Sequence, residues 1–278
     1  MKKRRMSGPG VFLSRGLLAV LLVLCFLPIM IMLNMSVKQH VMIANDFWGL
    51  PRSFYWTNYM KAWKFILRPI MNSILVCGIS LVLILIVVSL SGFAFGKMDF
   101  KGRRVLYMLV LAVMMIPYTL QIIPTYNIVS RMHLLNTYWA LIIPYVSGQQ
   151  IFGIILAESF YRELPVDMFE AARIDGAGEG YSFLHIALPL SKPILATVGI
   201  TSVVAMYNDY IWPTVAMTGG DEIKTFCQIV FNNAAGKGSN DMGLLAAAFV
   251  IGTVPLLIAV SSCMKYYVQG MIVGAVKG

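Results

Sequence analysis

Charged side chains are almost absent from six long apolar stretches of the chain. The stretches run over residues 16–37, 69–96, 105–130, 134–157, 193–220 (broken by one aspartate) and 242–264. Each exceeds the roughly 20 apolar residues that an α-helix needs to cross about 30 Å of hydrocarbon. Backbone groups in lipid must bond within the segment, and barrel strands would instead alternate over segments of about 10 residues. The pattern therefore predicts an all-α, polytopic membrane protein with six transmembrane helices.

The domain organisation follows from the same stretches. We expect an N-terminal tail at 1–15, a first span at 16–37, a loop at 38–68, a five-helix core at 69–266 with spans at about 72–95, 105–129, 138–157, 194–216 and 243–264, and a C-terminal tail at 267–278. The core includes a long polar connection at 158–192 between the fourth and fifth spans.

Composition agrees with a membrane protein. Hydrophobic residues make up 59% of the chain and charged residues 12%, whereas charged residues are roughly 25% of a soluble protein. This excludes a soluble domain, a disordered chain and a disulfide-rich secreted scaffold. The four cysteines show neither metal-ligand nor redox spacing.

Lysine and arginine are distributed unevenly between the two sides of the predicted helices. The termini and the connections after the second and fourth spans carry 14 of the 22, and the opposite side carries 8. The positive-inside rule then places both termini and the 158–192 connection in the cytoplasm. The net charge of +10 thus reflects topology and does not indicate a nucleic-acid partner. An uncleaved first helix is favoured over a signal peptide, because residues 34–38 offer no cleavage site.

No catalytic or metal-binding pattern is present. His40, His133 and His185 have no partner at i+3 or i+4, which argues against zinc. A phosphate-binding Gly-rich loop is also missing. We therefore expect a chain that is not an enzyme and binds no metal or other cofactor itself, so that any ATP hydrolysis belongs to a partner.

The connection at 158–192 has the pattern of two helices and a turn. Pro165 suits the first turn of a helix and Asp167 complements its dipole. Gly176 is typical of a helix end, and a second helix is predicted from Gly180 until Pro189 stops it. The apolar, small-residue surface of the first helix suits docking into a groove on another protein. A self-packed loop on the lipid interface remains the alternative from the pattern alone.

Two motifs in this connection resemble a known loop. They are Glu170-Ala171-Ala172-Arg173-Ile174-Asp175-Gly176-Ala177 and Ile186-Ala187-Leu188-Pro189-Leu190-Ser191-Lys192-Pro193. Together they resemble the EAA loop of the inner-membrane permease subunits of bacterial binding-protein-dependent ABC importers. Residues 135–140, 208–213 and 274–278 are similar to the carbohydrate branch, in particular to the smaller six-helix permease of maltose-type transporters. The resemblance covers nearly the whole chain from residue 51 onward.

The resemblance implies a mechanism. The loop would be a cytoplasmic helix–turn–helix seated in a cleft of a separate ATPase, whose ATP-driven closure moves the permease between inward-facing and outward-facing states. The coupling residues would be Phe169, Glu170, Ala171, Ala172, Asp175 and Gly176. A tail reaching the ATPase dimer interface would comprise Gly274, Ala275, Val276, Lys277 and Gly278. The implied partners are a second permease, two ATPase subunits that use ATP and Mg, an extracytoplasmic sugar-binding protein and the bacterial inner membrane, with no nucleic acid.

Polar residues at membrane depth are candidates for a translocation pathway. They are Gln121, Asn127, Gln149, Gln150, Asn208 and Asp209. Asp209 is the only charge within a predicted span, and such charges are usually functional. It lies near Trp212, which fits an interfacial aromatic belt, so Asp209 either lines the outer pathway or extends to the interface. The amides either bind sugar hydroxyls or tie helices together.

Two helix-shaping features accompany these residues. Pro117 and Pro124 predict a bent third helix. Gly92 and Gly96 form a small-residue motif that permits close helix contact.

Two alternatives to a sugar importer remain at this point. An ion-gradient-driven transporter would usually contain inverted repeats and an ion site near the midplane, and neither is evident. An ABC importer for another solute, such as amino acids, differs only in the softer motifs. A membrane-embedded enzyme lacks a catalytic cluster.

Overall fold

The computed structural model describes residues 9–234 and 241–275, with side chains over 14–234 and 241–265. Across these residues the regular structure is helical and contains no strand, which confirms the all-α prediction. The helices are α1 (Pro9–Ser36), α2 (His40–Asn45), α3 (Thr57–Lys97), α4 (Arg103–Met114), α5 (Tyr118–Arg131), α6 (Trp139–Glu163), α7 (Val166–Ile174), α8 (Glu179–Ser182), a π-helical turn (Phe183–Ala187), α9 (Leu188–Leu190), α10 (Lys192–Asn208), α11 (Ile211–Ala216), α12 (Phe226–Asn232) and α13 (Met242–Ala275).

Helices long and apolar enough to cross a membrane account for most of the chain. Within the described residues, four do so without a break: Ser14–Ser36, Thr57–Lys97, Trp139–Glu163 and Met242–Lys265. Two further pairs qualify only together, α4 with α5 across a 105° bend and Glu179–Leu190 with α10 across a 71° bend. If each bent pair is one span, the total equals the six predicted.

The span predicted at 105–129 is broken at its centre. α4 ends at Met114, α5 begins at Tyr118, and Pro117 between them is extended (φ −58°, ψ 135°). Proline cannot donate a backbone hydrogen bond and disfavours helical geometry in the preceding residue. The predicted bend is thus present, whereas Pro124 remains inside α5.

Other helix bounds differ from the predicted spans. The span predicted at 194–216 is interrupted, since α10 ends at Asn208 and α11 begins at Ile211. α3 begins at Thr57, inside the predicted loop 38–68, and α13 continues to Ala275, inside the predicted tail 267–278. Apolar content marks only the part of a helix that lies in lipid, so it does not show where the helix ends in water.

Contacts divide the chain into two compact units, residues 1–66 with 232–253 and residues 67–231 with 254–278. In the first unit the buried ammonium group of Lys38 donates to the backbone carbonyls of Asp46, Phe47 and Gly49. These bonds compensate a charge that would otherwise be costly to bury, and they close the loop after α2.

In the second unit α3 and α6 approach closely through two glycines. A Cβ atom on Gly92 would lie 2.5 Å from Cβ of Ala157, and one on Gly96 would lie 2.8 Å from Cβ of Tyr161. Neither position therefore accommodates a larger side chain without displacing α6. The small-residue motif seen in the sequence does mark a tight helix contact. The contact joins the C-terminal ends of α3 and α6, and the candidate coupling loop follows α6.

Candidate functional site

The first candidate site is the helix–turn–helix around residue 170, which we call the elbow (residues 165–190). Its first helix, α7, starts directly after Pro165 and has Asp167 in its first turn. It ends at Ile174, and the chain then turns at Gly176, whose φ of +84° suits glycine. The amide of Gly176 donates to the carbonyl of Arg173 (3.0 Å) and that of Ala177 to the carbonyl of Ala172 (2.8 Å). This pair of bonds is the Schellman arrangement that closes a helix.

The second helix of the elbow is longer than predicted. It continues through Pro189 to Leu190 instead of ending before the proline. A π-helical turn over residues 183–187 lies just before Pro189. The wider π-helical backbone relieves the clash between the proline ring and the carbonyl four residues earlier. The helix bends at Ser191, whose hydroxyl accepts a hydrogen bond from Tyr161 of α6 (2.9 Å). The elbow is thus continuous with α10 through a bend at Ser191 that the hydrogen bond from Tyr161 stabilises.

The predicted coupling residues lie on two faces of the elbow. Glu170, Ala171, Asp175 and Gly176 are exposed, and Ala172 is half-buried. Ile174 is also 87% exposed, although it is large and apolar. Phe169, in contrast, is only 5% exposed and faces the interior. Since Phe169 does not share the outer face, we assign it to anchoring the helix.

The anchor of α7 is an aromatic cluster centred on Phe93 of α3. The ring of Phe93 lies 6.2 Å from that of Phe169, 5.3 Å from that of Phe183 and 5.9 Å from that of Tyr161. Aromatic pairs at these separations add to the stabilisation that burial provides. Phe93 therefore contacts both helices of the elbow and the end of α6.

Lys97 reinforces this anchor. Its Nζ lies 5.0 Å from the centre of the Phe169 ring and donates to the carbonyl of Leu164 at the end of α6 (2.6 Å). A cation at this position complements the negative end of the α6 dipole. Phe93 and Lys97 were not predicted as part of the site. They adjoin Gly92 and Gly96, whose small-residue motif was the one feature of the sequence that pointed to this stretch of α3.

An ion pair bridges the turn of the elbow. Arg173 Nη2 lies 2.8 Å from Glu179 Oε1, and both side chains are about half exposed. Exposed pairs of this kind contribute at most about 1 kcal/mol. The pair orients the two helices, and the aromatic anchor carries more of the stabilisation.

The second candidate site is a cavity of about 600 Å³ at the two helix breaks, which we call the polar cavity. Its polar lining comprises Tyr118, Gln121, Tyr145, Gln149, Asn208, Asp209 and Tyr210. Backbone that leaves helical geometry at membrane depth is tolerated where it lines a cavity or is buried in protein. The breaks at Pro117 and Asp209 meet this requirement together, because residues from both line the same space.

Asp209 is held in place by four hydrogen bonds. Its Oδ2 accepts from the hydroxyls of Tyr118 (3.2 Å) and Tyr145 (3.0 Å). Its Oδ1 accepts from the backbone amides of Ile211 (2.9 Å) and Trp212 (3.3 Å), which open α11. The carboxylate thus caps a helix and joins three elements, and it does not extend freely toward an interface.

The other predicted pathway residues divide into two groups. Gln121 donates to the carbonyl of Ile116 at the α4–α5 break (2.9 Å), and Asn208 donates to the carbonyl of Val204 (2.9 Å). These two and Gln149 line the polar cavity, whereas Asn127 and Gln150 are not part of its lining. For Gln121 the structure agrees in part with the alternative that the amides hold helices together. Its side-chain amide bonds to a carbonyl that the break between α4 and α5 leaves without a helical partner.

One expectation near the polar cavity needs correction, and two residues of the cavity that bond to Asp209 were not predicted. Trp212 is buried within the protein, where it is 2% exposed and its Nε1 donates to the carbonyl of Ala140 (2.9 Å), so its ring does not face lipid as a residue of an aromatic belt would. Tyr118 and Tyr145 were missed, although both follow a proline in the sequence. Those prolines were visible, but nothing local indicated that the tyrosines share one carboxylate.

Asn72 lies in α3 far from the elbow and bonds to Tyr138 and to the loop 217–225. We call this group of residues the polar clamp. The Asn72 amide donates to the carbonyls of Glu222 and Lys224 (2.9 Å each). The Tyr138 hydroxyl donates to Asn72 Oδ1 (2.8 Å). The clamp therefore holds α3, the start of α6 and this loop together.

The remaining site predictions are not tested by these contacts. Gly274 and Ala275 end α13, and Val276, Lys277 and Gly278 lie outside the described residues. Over the part of the chain that the structure describes, no three potential metal ligands cluster. The expectation that the chain binds no cofactor stays a prediction.

Comparison with known protein families decides the assignment. Residues 89–273 match the model of the binding-protein-dependent transport system inner membrane component. The chain belongs to this family. The matched region of this inner-membrane component includes both the elbow and the polar cavity. The family is one of multi-pass transport components that operate with a binding protein and further subunits, and it is not a family of enzymes.

Individual relatives agree with the family. The diacetylchitobiose uptake system permease protein NgcG of Streptomyces coelicolor is 30% identical over 88% of this chain and 82% of its own. The arabinooligosaccharides transport system permease protein AraQ of Halalkalibacterium halodurans is 32% identical over 74% of this chain and 73% of its own. A crystal structure of a bacterial ABC transporter involved in the import of alginate contains a chain of the same fold, with a TM-score of 0.79, 22% identity and coverage of 96% and 99%.

Proposed function

We propose that the chain is a permease subunit of an ATP-driven sugar importer, coupled through the elbow to a separate ATPase. The observation that carries this proposal is the division of α7 into an exposed face and a buried anchor. Glu170, Ala171 and Asp175 face outward, while Phe169 packs against α3. An exposed helix face with small residues suits a groove on a partner.

The elbow has the stiffness that such a role requires. α7 is closed by its glycine turn, rests on the aromatic anchor and is tied through Lys97 to the end of α6. α3 and α6 are themselves in close contact at Gly92 and Gly96. A displacement imposed on the outer face would therefore be passed to both helices.

The polar cavity is the proposed route for solute. Tyrosine, glutamine, asparagine and aspartate side chains offer the donors and acceptors that sugar hydroxyls need, and the three tyrosine rings of the lining offer apolar faces. Two relatives named for oligosaccharide uptake support a sugar as the solute. An ion-gradient-driven transporter has less support, since the single carboxylate in the cavity is occupied by four donors.

The proposed assembly contains a second permease, two ATPase subunits that use ATP and Mg, and an extracytoplasmic sugar-binding protein. Both termini and the elbow would face the cytoplasm, as the lysine and arginine distribution favours. The C-terminal residues 274–278 would contact the ATPase.

Site-directed crosslinking tests the coupling role. In a chain whose four cysteines are replaced by serine, Ala171→Cys should crosslink to the co-expressed ATPase and resist impermeant thiol reagents added from outside. Leu50→Cys is the control, because Leu50 is 84% exposed in the loop predicted to be extracytoplasmic. It should react with the impermeant reagents from outside and should not crosslink to the ATPase. Labelling of residue 171 from outside would overturn the proposal.

Transport assays separate the mechanisms. Uptake of a labelled oligosaccharide into vesicles should require internal ATP and the binding protein, and should survive collapse of the membrane potential. Uptake that is lost with the potential and indifferent to ATP would instead show ion-gradient coupling.

A further inference from the structure

A second polar cavity, of about 560 Å³, lies where α3 ends, α4 begins and α6 ends. We call it the basic cavity. Its charged and hydroxyl-bearing lining comprises Asp99, Arg103, Arg104, Tyr107, Glu158 and Arg162. Neither the transport route nor the contact face of the elbow uses these residues.

Positive charge is in excess in the basic cavity. The Glu158 side chain is 5% exposed, and its two oxygens are occupied by Arg162 Nη1 (3.3 Å) and the Tyr107 hydroxyl (3.0 Å). Arg103 donates to the carbonyl of Met98 (3.2 Å). Among the described residues no carboxylate lies within ion-pair distance of Arg103 or Arg104. Two guanidinium groups, whose planar geometry matches phosphate oxygens, are thus available to an anion.

An uncovered apolar surface begins where the two arginines end. From Val105 to Met114 α4 contains no charged residue, and none of its side chains is buried. Val105 and Leu109 are each 57% exposed. The basic cavity therefore stands at the end of an apolar helix face at the edge of the predicted bilayer region. A free phosphate or an acidic peptide would use the cavity alone and leave that face open to lipid.

We propose that the basic cavity binds the phosphate of an anionic phospholipid whose acyl chains lie along α4. Arg103 and Arg104 contact the headgroup, while the Glu158–Arg162 pair fixes the back wall of the cavity. Basic pockets at the ends of transmembrane helices select anionic headgroups in this manner. The site lies beside the end of α6 that supports the elbow, so its occupancy stabilises the base of the elbow. This inference goes beyond the proposed transport function and does not depend on it.

Native mass spectrometry of the full chain tests the proposal. The protein is purified in detergent, exposed to equal amounts of phosphatidylglycerol and phosphatidylcholine, and scored for retained lipid. The double variant Arg103→Gln/Arg104→Gln should retain phosphatidylglycerol about twenty-fivefold more weakly, since each basic residue contributes about fivefold. Arg103→Lys/Arg104→Lys keeps the charge but loses the planar donor pairs, and should recover only part of the binding. The matched control, Lys61→Gln/Lys64→Gln, removes the same charge from exposed positions and should bind like the parent.

Each other outcome would overturn the proposal. Equal retention of the two lipids, or equal losses in the Arg103/Arg104 and Lys61/Lys64 variants, would show non-specific attraction. Displacement of the lipid by millimolar inorganic phosphate would show an anion site without a role for the acyl chains. In the assembled transporter, crosslinks from Arg104→Cys to an acidic protein segment would show that a subunit occupies the cavity. Melting temperatures in phosphatidylcholine alone, equal for all variants, confirm that the folds are comparable.

Discussion

The elbow and the polar cavity are both built from helices, but the elbow holds its first helix rigidly whereas the polar cavity interrupts its helices. In the elbow, α7 is unbroken, ends in a glycine turn and rests on a buried aromatic anchor. In the polar cavity, helices are interrupted at Pro117 and Asp209, and side chains compensate the exposed backbone. The elbow is therefore suited to transmit a displacement, whereas the polar cavity is suited to change shape around a solute.

The comparison also separates the kinds of interaction involved. Packing of aromatic rings depends on close fit and is lost when one ring is removed. The bonds around Asp209 can be exchanged one at a time for bonds to water or to sugar hydroxyls, at a net cost of about 1.5–3 kcal/mol each because the acceptor is charged. Mutations in the elbow should therefore uncouple transport from hydrolysis, and mutations in the polar cavity should slow transport while coupling remains.

The largest effect is expected for Gly176→Pro. Proline cannot adopt the φ of +84° at this position and removes the amide that donates to Arg173, a cost of about 3 kcal/mol or more. The variant should insert normally, while oligosaccharide uptake is abolished and ATP hydrolysis persists. Gly178→Pro is the matched control, because Gly178 already has a φ of −77°. Normal uptake by the Gly176 variant would remove the coupling role of the turn.

Phe169→Ala should have the next largest effect. Removal of this buried ring leaves an unfilled space in the anchor, and such changes cost about 3–5 kcal/mol. Amide hydrogen exchange across Val166–Ile174 should rise, and hydrolysis should become independent of solute. Met168→Ala, which alters a 41% exposed neighbour, should leave both readouts near those of the parent. Unchanged exchange in the Phe169 variant would contradict an anchoring role.

Asp209→Asn should reduce transport without uncoupling it. The substitution keeps the shape but weakens bonds to the two tyrosines, each of which is worth about 1.5–3 kcal/mol when the acceptor is charged. We expect uptake to fall about tenfold or more, with the ratio of transport to hydrolysis retained. Asp221→Asn, in an exposed loop, is the control. Parent-like uptake by the Asp209 variant would show that the carboxylate is only structural.

The smallest effect is expected for the ion pair across the turn of the elbow. Arg173→Gln and Glu179→Gln should each lower stability by about 1 kcal/mol or less, because both side chains are about half exposed. A double-mutant cycle measured at low and high salt would check this. A coupling energy that exceeds this range and does not respond to salt would show that the pair contributes more than we infer.

Local signals predicted much of this structure. Charge-free stretches identified the spans, Pro117 identified a bend, and Asp175-Gly176 identified the helix end, since each acts through its own backbone. The inward direction of Phe169 was not predictable, because α7 has apolar residues on more than one side. The bonds of Tyr118 and Tyr145 to Asp209 join residues 91 and 64 positions apart, and no local pattern specifies such pairs.

The unbroken course of α3 has a consequence for distant parts of the molecule. Lys97, at its elbow end, and Asn72, in the polar clamp, are separated by roughly 38 Å of continuous helix at 1.5 Å per residue. A rotation of α3 by about 10° around Lys97 would carry Asn72 through about 7 Å. This exceeds the reach of the 2.9 Å bonds that Asn72 makes with loop 217–225. A tilt of α3 as a rigid helix at its elbow end would therefore break the bonds that hold loop 217–225 in the polar clamp.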